Sequence, residues 1–166
     1  MSRSRSPGRL HSGVIRHYLP DLVYGANDGI ITTFAVVSGV VGASLSERII
    51  LILGFANLVA DGFSMGASNF RARRSYADAE DRADRAEAMR HGTATLVGFL
   101  AAGIVPLIAY VVPLPDSYRF PLAIFLTLSS LFAVGAARAL VTHLGWIRSG
   151  LEMLGVGALA AAVAYS

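Results

Sequence analysis

The sequence predicts an all-α integral membrane protein with five transmembrane helices. Three observations support this fold class: five long apolar runs, a small share of charged residues, and arginines that lie mostly in the segments on one side of the predicted membrane. Apolar residues make up 54 % of the 166-residue chain and charged residues 15 %, against about 45–50 % and about 25 % in soluble domains. With a mean hydropathy of +0.57, the chain has too little polar surface for an ordinary soluble enzyme or a disordered protein.

The five apolar runs follow one another along the chain, and each is assigned one helix. A helix needs about 20 residues to cross a hydrocarbon core of about 30 Å, and the first four runs are long enough. The fifth run begins near Gly150 and is shorter, so either its helix starts earlier, near Trp146, or the natural chain continues beyond Ser166. The predicted helices cover residues 22–43, 47–70, 92–112, 120–141 and 148–166.

The polar segments outside the runs are predicted to form a tail and a short helix. Residues 1–20 are rich in Arg, Ser, Gly and Pro and are expected to form a disordered basic tail. Residues 71–91 contain neither Pro nor Gly and are expected to continue the second helix into the cytoplasm. All residues after the tail, 21–166, form one membrane domain that includes this short helical segment. Acid–base pairs at i,i+4 spacing, which stabilise a helix, occur in this segment: Asp78 with Arg82, and Asp81 with Arg85.

The arginines orient the predicted helices. All 14 basic residues are Arg, and the cytoplasmic loops of membrane proteins carry an excess of basic residues. With the N-terminus in the cytoplasm, 12 arginines lie on that side and only Arg48 and Arg119 lie opposite. The odd number of crossings then places the C-terminus on the opposite side. Because the arginines lie between apolar runs, the expected partner is membrane lipid and not nucleic acid.

Two carboxylates lie within the predicted spans. Asp28 is about two turns into the first helix, and Asp61 is near the middle of the second. An ionised carboxylate at this depth costs at least about 2.5–3.5 kcal/mol, so a cation, a proton, water or a hydrogen-bonding partner must compensate. Polar residues accompany both carboxylates. We expect these residues to line a path through the membrane: Tyr24, Asn27 and Thr32 on the first helix, and Asn57, Ser64, Ser68 and Asn69 on the second.

The chemistry of the two faces favours transition-metal ions but leaves alternatives open. Asp28 is either a metal ligand or proton acceptor, or a packing carboxylate bonded to neighbouring hydroxyls and amides. Asp61 could be satisfied in the same way by Asn57 and Ser64. Met65 could simply fill space between helices. Beside carboxylates, its thioether would instead make a site that suits Fe²⁺, Mn²⁺ or Co²⁺ better than Mg²⁺ or Ca²⁺. The candidate metal ligands are therefore Asp28, Asp61 and Met65.

Glycines at four-residue spacing indicate close helix packing. Gly25 and Gly29 on the first helix, and Gly62 and Gly66 on the second, form faces of small residues that let helix backbones approach in a membrane. The face with Gly25 and Gly29 is expected to allow the first helices of two subunits to meet.

No enzyme is predicted. The four histidines, His11, His17, His91 and His143, do not form a recognisable site, because no His-x-x-x-His or Glu-x-x-His spacing occurs. The chain has no cysteine, which excludes thiolate metal sites and thiol nucleophiles. We find no arrangement typical of nucleophilic catalysis and no phosphate-binding loop. No catalytic residue and no resident cofactor are therefore expected.

Two segments resemble one known family. Residues 21–43, which contain the pattern N-D-G-x-x-T-x-F beginning at Asn27, resemble the first helix of the vacuolar iron transporter family. Residues 60–70, ADGFSMGASNF, are similar to its second helix. The resemblance implies a five-helix homodimer in which the first helices line a central path, with Asp28 and Met65 as ligands along it.

The resemblance also implies an activity. Family members move Fe²⁺, and often Mn²⁺, out of the cytoplasm in exchange for protons, so divalent metal ions and protons are the expected partners. A bacterial inner membrane is the expected location, since the chain is compact and shows no evident targeting segment.

The chain departs from the family pattern at two places. Asn69 stands where the family usually has a glutamate. Only about 20 residues separate Phe70 from His91, where many members carry a metal-binding domain rich in Glu and Met. The arginines in this segment favour a solvated, salt-bridged helix over a metal store. A non-transporting structural or regulatory membrane module on the same scaffold is the alternative function.

Overall fold

The computed structural model describes residues 7–79, 84–139 and 145–166, with side chains from residue 17 onward apart from that of residue 79. Within these ranges the chain forms helices and no strand. The helices are α1 (Pro7–Gly42), α2 (Glu47–Ala79), α3 (Arg85–Gly103), α4 (Val105–Val111), α5 (Asp116–Arg138) and α6 (Trp146–Tyr165).

Four stretches of the described chain are long and apolar enough to cross a membrane. Together with the all-helical fold, they confirm the prediction of an all-α membrane protein. The long helix α1 is not one of the four, since Asn27, Asp28 and two threonines interrupt its apolar sequence. The four stretches are Glu47–Asp78, Arg85–Val111, Asp116–Arg138 and Trp146–Tyr165.

Helix α1 begins earlier than the sequence indicates. It starts at Pro7 and not near residue 22, so the segment predicted as a tail is helical from Pro7 onward; residues 1–6 lie outside the described ranges. A proline is tolerated in the first turn, where its missing N–H would have no helical partner. Contacts with α3 hold the following turns: the rings of His17 and Tyr18 lie 5.0 and 4.9 Å from that of His91.

Helix α2 continues past its predicted span to Ala79. Arg74 and Asp78 form an i,i+4 pair in this extension, at 3.6 Å. The pairs predicted with Arg82 and Asp81 fall outside the described residues. Helix α3 then begins behind an N-cap, where Asp84 accepts hydrogen bonds from the backbone N–H groups of residues 86 and 87, as short polar side chains do at helix starts.

The third apolar run forms two helices instead of the single predicted helix 92–112. Helix α3 ends at Gly103 and α4 begins at Val105. Pro106 is the physical reason, because it has no N–H to donate to the preceding turn and its ring crowds that turn. Pro106 occupies one of the first two positions of α4, where a proline is accommodated.

Helix α1 is central, since it contacts each of the other five helices. Its contact with α3 is made backbone to backbone. A Cβ added at Gly25 or Gly29 would collide with the carbonyl oxygen of Thr95 or Phe99, and one at Gly98 would collide with that of Leu22. The two helices can therefore lie this close only because these positions lack side chains.

The apolar core lies at the end of the bundle that contains the C-terminal part of α1. There, side chains of α1, α2, α4 and α5 form one buried cluster. At the same end, Arg119 of α5 forms an ion pair with Glu47 at the start of α2 and donates a hydrogen bond to the carbonyl of Leu114, at 3.0 Å. The cluster consists of Phe34, Val37, Val40, Ile50, Leu107, Ala109, Tyr110 and Ala123.

We expect Gly98→Ala to destabilise the protein, because the new methyl group would separate α1 from α3 at backbone contact. Overpacking of this kind costs about 1–3 kcal/mol. The matched control is Gly155→Ala on α6, where an added Cβ meets nothing within 4 Å and alanine is the better helix former. Thermal unfolding in detergent, followed by size-exclusion chromatography, should show a lower midpoint for Gly98→Ala alone. Equal midpoints for the two variants would contradict the close contact.

Candidate ion-path site

A groove of about 450 Å³ lies between α1 and α2, at the end of the bundle nearer the N-terminus. Its residues recur at helical spacing along both helices, so the polar faces predicted from the sequence face each other at this level. Met65, Ser68 and Asn69 are brought together here with Tyr24. The residues lining the groove are Pro20, Asp21, Tyr24, Met65, Ser68, Asn69 and Ala72.

One wall of the groove is a hydrogen-bonded network centred on Asp21, which is only 5 % exposed. Asp21 Oδ1 accepts hydrogen bonds from Asn69 Nδ2 at 2.8 Å and from Arg73 at 3.3 Å, and its Oδ2 lies 2.5 Å from His91 Nδ1. Asn69 Nδ2 also donates to Thr95 Oγ1 at 2.6 Å. The network therefore joins α1, α2 and α3.

Asp21 directly precedes the first predicted span. Burial raises the pKa of its carboxyl group. The hydrogen bonds with His91 and Asn69 and the charge of Arg73 lower that pKa by more than burial raises it, so the pKa lies below its ordinary value. Hydrogen bonds and cations that favour the charged form act in this direction. Asp21 is therefore a carboxylate at neutral pH.

The charge of Asp61 on α2 acts on the carboxyl group of Asp28 on α1. Asp28 is half-buried, Asp61 is exposed, and neither lines the groove. Among the described residues, neither carboxylate receives a hydrogen bond or an ion pair from the chain. The bonds to Asn57 and Ser64 that would make Asp61 a packing residue are therefore not formed.

Other predicted path residues differ in what they do. Thr32 donates its hydroxyl to the backbone carbonyl of Asp28 at 2.8 Å, so this group is occupied within its own helix. Asn27 Oδ1 and Asn57 Nδ2 are buried and have no hydrogen-bond partner. Buried polar atoms in native proteins are nearly always paired, and an exception calls for an explanation such as a functional role, water or an ion. Ser64 and Ser68 are exposed on α2, as is Tyr24 on α1.

The predicted glycine faces contact α3 of the same chain. Gly25 and Gly29 meet its backbone, as described above, and a Cβ at Gly66 would lie 2.9 Å from the carbonyl oxygen of Gly92. Gly62 faces the side chains of α3. The expectation that the face with Gly25 and Gly29 lets two subunits meet is corrected, because α3 already occupies that face.

The structure brings two of the histidines close together, although their spacing in the sequence predicts no site. His17 on α1 lies beside Glu87 and His91 on α3, with one ligand atom of each residue within 4.8 Å of the others. Glu87 and His91 are four residues apart on one helix face, a spacing visible in the sequence. His17 lies 70 positions before Glu87, so no local pattern connects it to them. The side chain of His11, and His143, are outside the described residues.

Comparison with known proteins identifies the family. The model of the VIT family matches residues 19–91 and 79–166, which together include most of the chain. The chain belongs to the VIT family. Its similarity to vacuolar iron transporter homolog 1 of Oryza sativa subsp. japonica is 30 % identity over 167 aligned positions, covering 89 % of this chain and 71 % of the rice protein. The resemblance read from residues 21–43 and 60–70 is thereby confirmed.

Other VIT relatives are more similar over shorter segments. The vacuolar iron transporter of Plasmodium berghei is 38 % identical over 68 residues, which are 41 % of this chain and 25 % of that protein. That of Toxoplasma gondii is 38 % identical over 80 residues, which are 46 % of this chain and 26 % of the relative. The chain thus matches about a quarter of the length of these two transporters.

Proposed function

We propose that this VIT-family protein transports a divalent transition-metal ion, Fe²⁺ or Mn²⁺, out of the cytoplasm in exchange for protons. The observation that carries the proposal is the pair Asp28 and Asp61: two neighbouring carboxyl groups without hydrogen bonds or ion pairs among the described residues. Carboxyl groups within a membrane span are expensive and are typical of ion pathways and proton relays. The names of the relatives, vacuolar iron transporters, support the same class of cargo.

The donors available along α1 and α2 suit such a cargo. Asp28 and Asp61 offer oxygen, and the half-buried Met65 offers a thioether sulfur in the adjoining groove. Oxygen and sulfur donors together favour Fe²⁺, Mn²⁺ or Co²⁺ over Mg²⁺ and Ca²⁺, which bind oxygen ligands. The unpaired amide atoms of Asn27 and Asn57 support a polar route at this level. A carboxyl pair that repels when both members are ionised can also release or take up a proton as the metal passes.

The path is completed by a second copy of the chain. In a single chain, Asp61, Ser64 and Ser68 are exposed on α2, and a carboxylate facing lipid would cost at least about 2.5–3.5 kcal/mol. A two-fold dimer formed through this face covers it and doubles the number of ligands. The contact is made by this polar face and Tyr24, since α3 occupies the face with Gly25 and Gly29.

The orientation follows from the arginines. We place the five helices α1, α2, α3–α4, α5 and α6 across the membrane with the N-terminus in the cytoplasm, because the segments on that side carry 12 of the 14 arginines. A bacterial cell membrane is the proposed location. The groove beside Asp21 then opens on the cytoplasmic side, where metal enters.

A non-transporting membrane module is the second candidate, and one observation favours it. Asn69, where the family usually has a glutamate, is bound to Asp21 and Thr95 and therefore holds helices together at the groove. If the polar face of α2 serves only assembly, metal flux will be absent although the protein folds and dimerises.

Asp28→Asn should abolish metal transport while the protein still folds, because the amide keeps the shape of the side chain but loses its charge. Purified protein is placed in liposomes, and Fe²⁺ or Mn²⁺ uptake and internal pH are recorded under an imposed pH gradient. The matched control is Asp78→Asn, which removes an exposed carboxylate paired with Arg74 and should transport normally. Wild-type rates in Asp28→Asn would refute the role of Asp28, and no flux in the wild type would favour the non-transporting module.

Met65→Leu should leave a folded protein and change the metal preference, because leucine keeps the volume and removes the sulfur. Swaps that conserve volume cost less than about 1.5 kcal/mol. Transport of Fe²⁺ and Co²⁺ should weaken most and that of Mn²⁺ least. Met153→Leu on α6, at another half-buried methionine, is the control. Competition among the three metals in one preparation decides: an unchanged order of preference means that the sulfur is not a ligand.

Mass measurements in mild detergents and in lipid discs should show a homodimer. Ser64→Trp should weaken it, because the indole would be placed on the exposed polar face of α2. Val156→Trp adds the same ring to an exposed position of α6 and should leave the dimer intact. A monomer in every environment, or equal effects of the two substitutions, would contradict an interface through this face.

A further inference from the structure

His17, Glu87 and His91 form a cluster of ligand atoms outside the ion path. His17 Nε2 lies 3.0 Å from Glu87 Oε1, and one ligand atom from each of the three residues lies within 4.8 Å of the other two. Helix α1 supplies His17 from one side, and the first turns of α3 supply Glu87 and His91 at i,i+4 spacing from the other. The three residues thus bring one possible ligand atom each to the same place between α1 and α3.

We propose that His17, Glu87 and His91 bind a divalent transition-metal ion at the N-terminal end of the bundle. Two imidazoles and one carboxylate are a ligand set that binds Zn²⁺, Fe²⁺ and Co²⁺. The same set discriminates against Mg²⁺ and Ca²⁺, which bind through oxygen atoms. With three protein ligands, positions remain on the metal for water.

A carboxylate already lies behind one of the two histidines. His91 is buried, and its Nδ1 lies 2.5 Å from Asp21 Oδ2. With Nδ1–H donated to this carboxylate, the lone pair of Nε2 is available for a metal. A carboxylate behind a histidine ligand fixes the tautomer and the ring orientation and makes the histidine a better ligand. Asn69 and Arg73 hold Asp21 in turn, so His91 is oriented before any metal arrives.

A simple surface ion pair accounts for only part of this arrangement. His17 and Glu87 are about half exposed, at 51 % and 50 %, and could pair without a metal. Such a pair does not require the second histidine, yet the ring of His91 lies 5.0 Å from that of His17 at an angle of 58°. A metal site requires several ligands that converge, as these two histidine rings and the carboxylate do. An ion pair requires only one histidine and the carboxylate.

The location gives the site a role beside the path. Asp21, which orients His91, also lines the groove between α1 and α2. Asp21 therefore lies between the cluster and the groove that an ion released from the three ligands would enter. This loading role rests on the proposed transport function, whereas metal binding by the cluster does not.

Binding is tested with Co²⁺, whose visible absorption reports its ligands, on the full-length protein in detergent. The wild type should show bands of histidine-bound Co²⁺ and a calorimetric binding event that Mg²⁺ does not displace. His17→Gln and Glu87→Gln change exposed side chains and should fold. Each should raise the Kd by about tenfold or more, since even second-shell changes cost 10–100-fold. Asp78→Asn removes an exposed carboxylate on α2; it is the control and should bind as the wild type does. Asp28→Asn removes a proposed ligand of the path and should still show the bands of histidine-bound Co²⁺, since the path contains no histidine.

The outcomes separate this site from the transport proposal. Binding that is weakened by His17→Gln and Glu87→Gln but kept in Asp28→Asn supports the site, whether or not the protein transports metal. Unchanged Co²⁺ spectra and affinities in the two cluster variants overturn it, even if transport depends on Asp28. Bands of histidine-bound Co²⁺ that are lost in Asp28→Asn but kept in His17→Gln would likewise overturn it, since they would then not come from the cluster.

Discussion

The backbone contact between α1 and α3 is the constraint on which the rest of the structure depends. Glycines on both helices remove the side chains that would separate them, and dispersion contacts between closely packed backbones stabilise helix pairs in a membrane. With α3 against one face of α1, the face that carries Tyr24 and Asp28 is left for α2 and for the proposed second subunit. The same contact carries His17 to the first turns of α3. The candidate path and the histidine cluster are thus both consequences of one helix crossing.

Polar groups in the bundle fall into two kinds. Around Asp21, the carboxylate oxygens are satisfied by side chains from α2 and α3, so this network ties helices together. Further along α1, Asp28 has no such partners, and neither has Asp61 among the described residues. One carboxylate is hydrogen-bonded within the protein and two are not, so the two unpaired carboxylates are available to an ion. This contrast supports the assignment of structural work to Asp21 and transport to Asp28.

Local patterns in the sequence predicted the helices well, because apolar runs and turn residues are read over short distances. The polar faces of the first two helices were predicted for the same reason, since helical spacing is a local property. Three features were missed. The break at Pro106 was overlooked although proline marks it. The face with Gly25 and Gly29 was assigned to a second subunit because spacing does not tell which helix a glycine face meets. His17 joins Glu87 and His91 only through tertiary packing, which no spacing rule contains.

The Asp21 network has a consequence for how the protein is made. Membrane helices enter the bilayer in chain order as they are synthesised, so α1 arrives before any of the partners of Asp21. Asn69 and Arg73 come with α2, and His91 comes only with α3. The carboxylate of Asp21 is therefore unpaired when α1 emerges, gains two partners with α2, and is fully bonded only when α3 has followed. A chain truncated between α2 and α3 would keep the bonds of Asp21 to Asn69 and Arg73 but leave Asp21 Oδ2 without its partner His91.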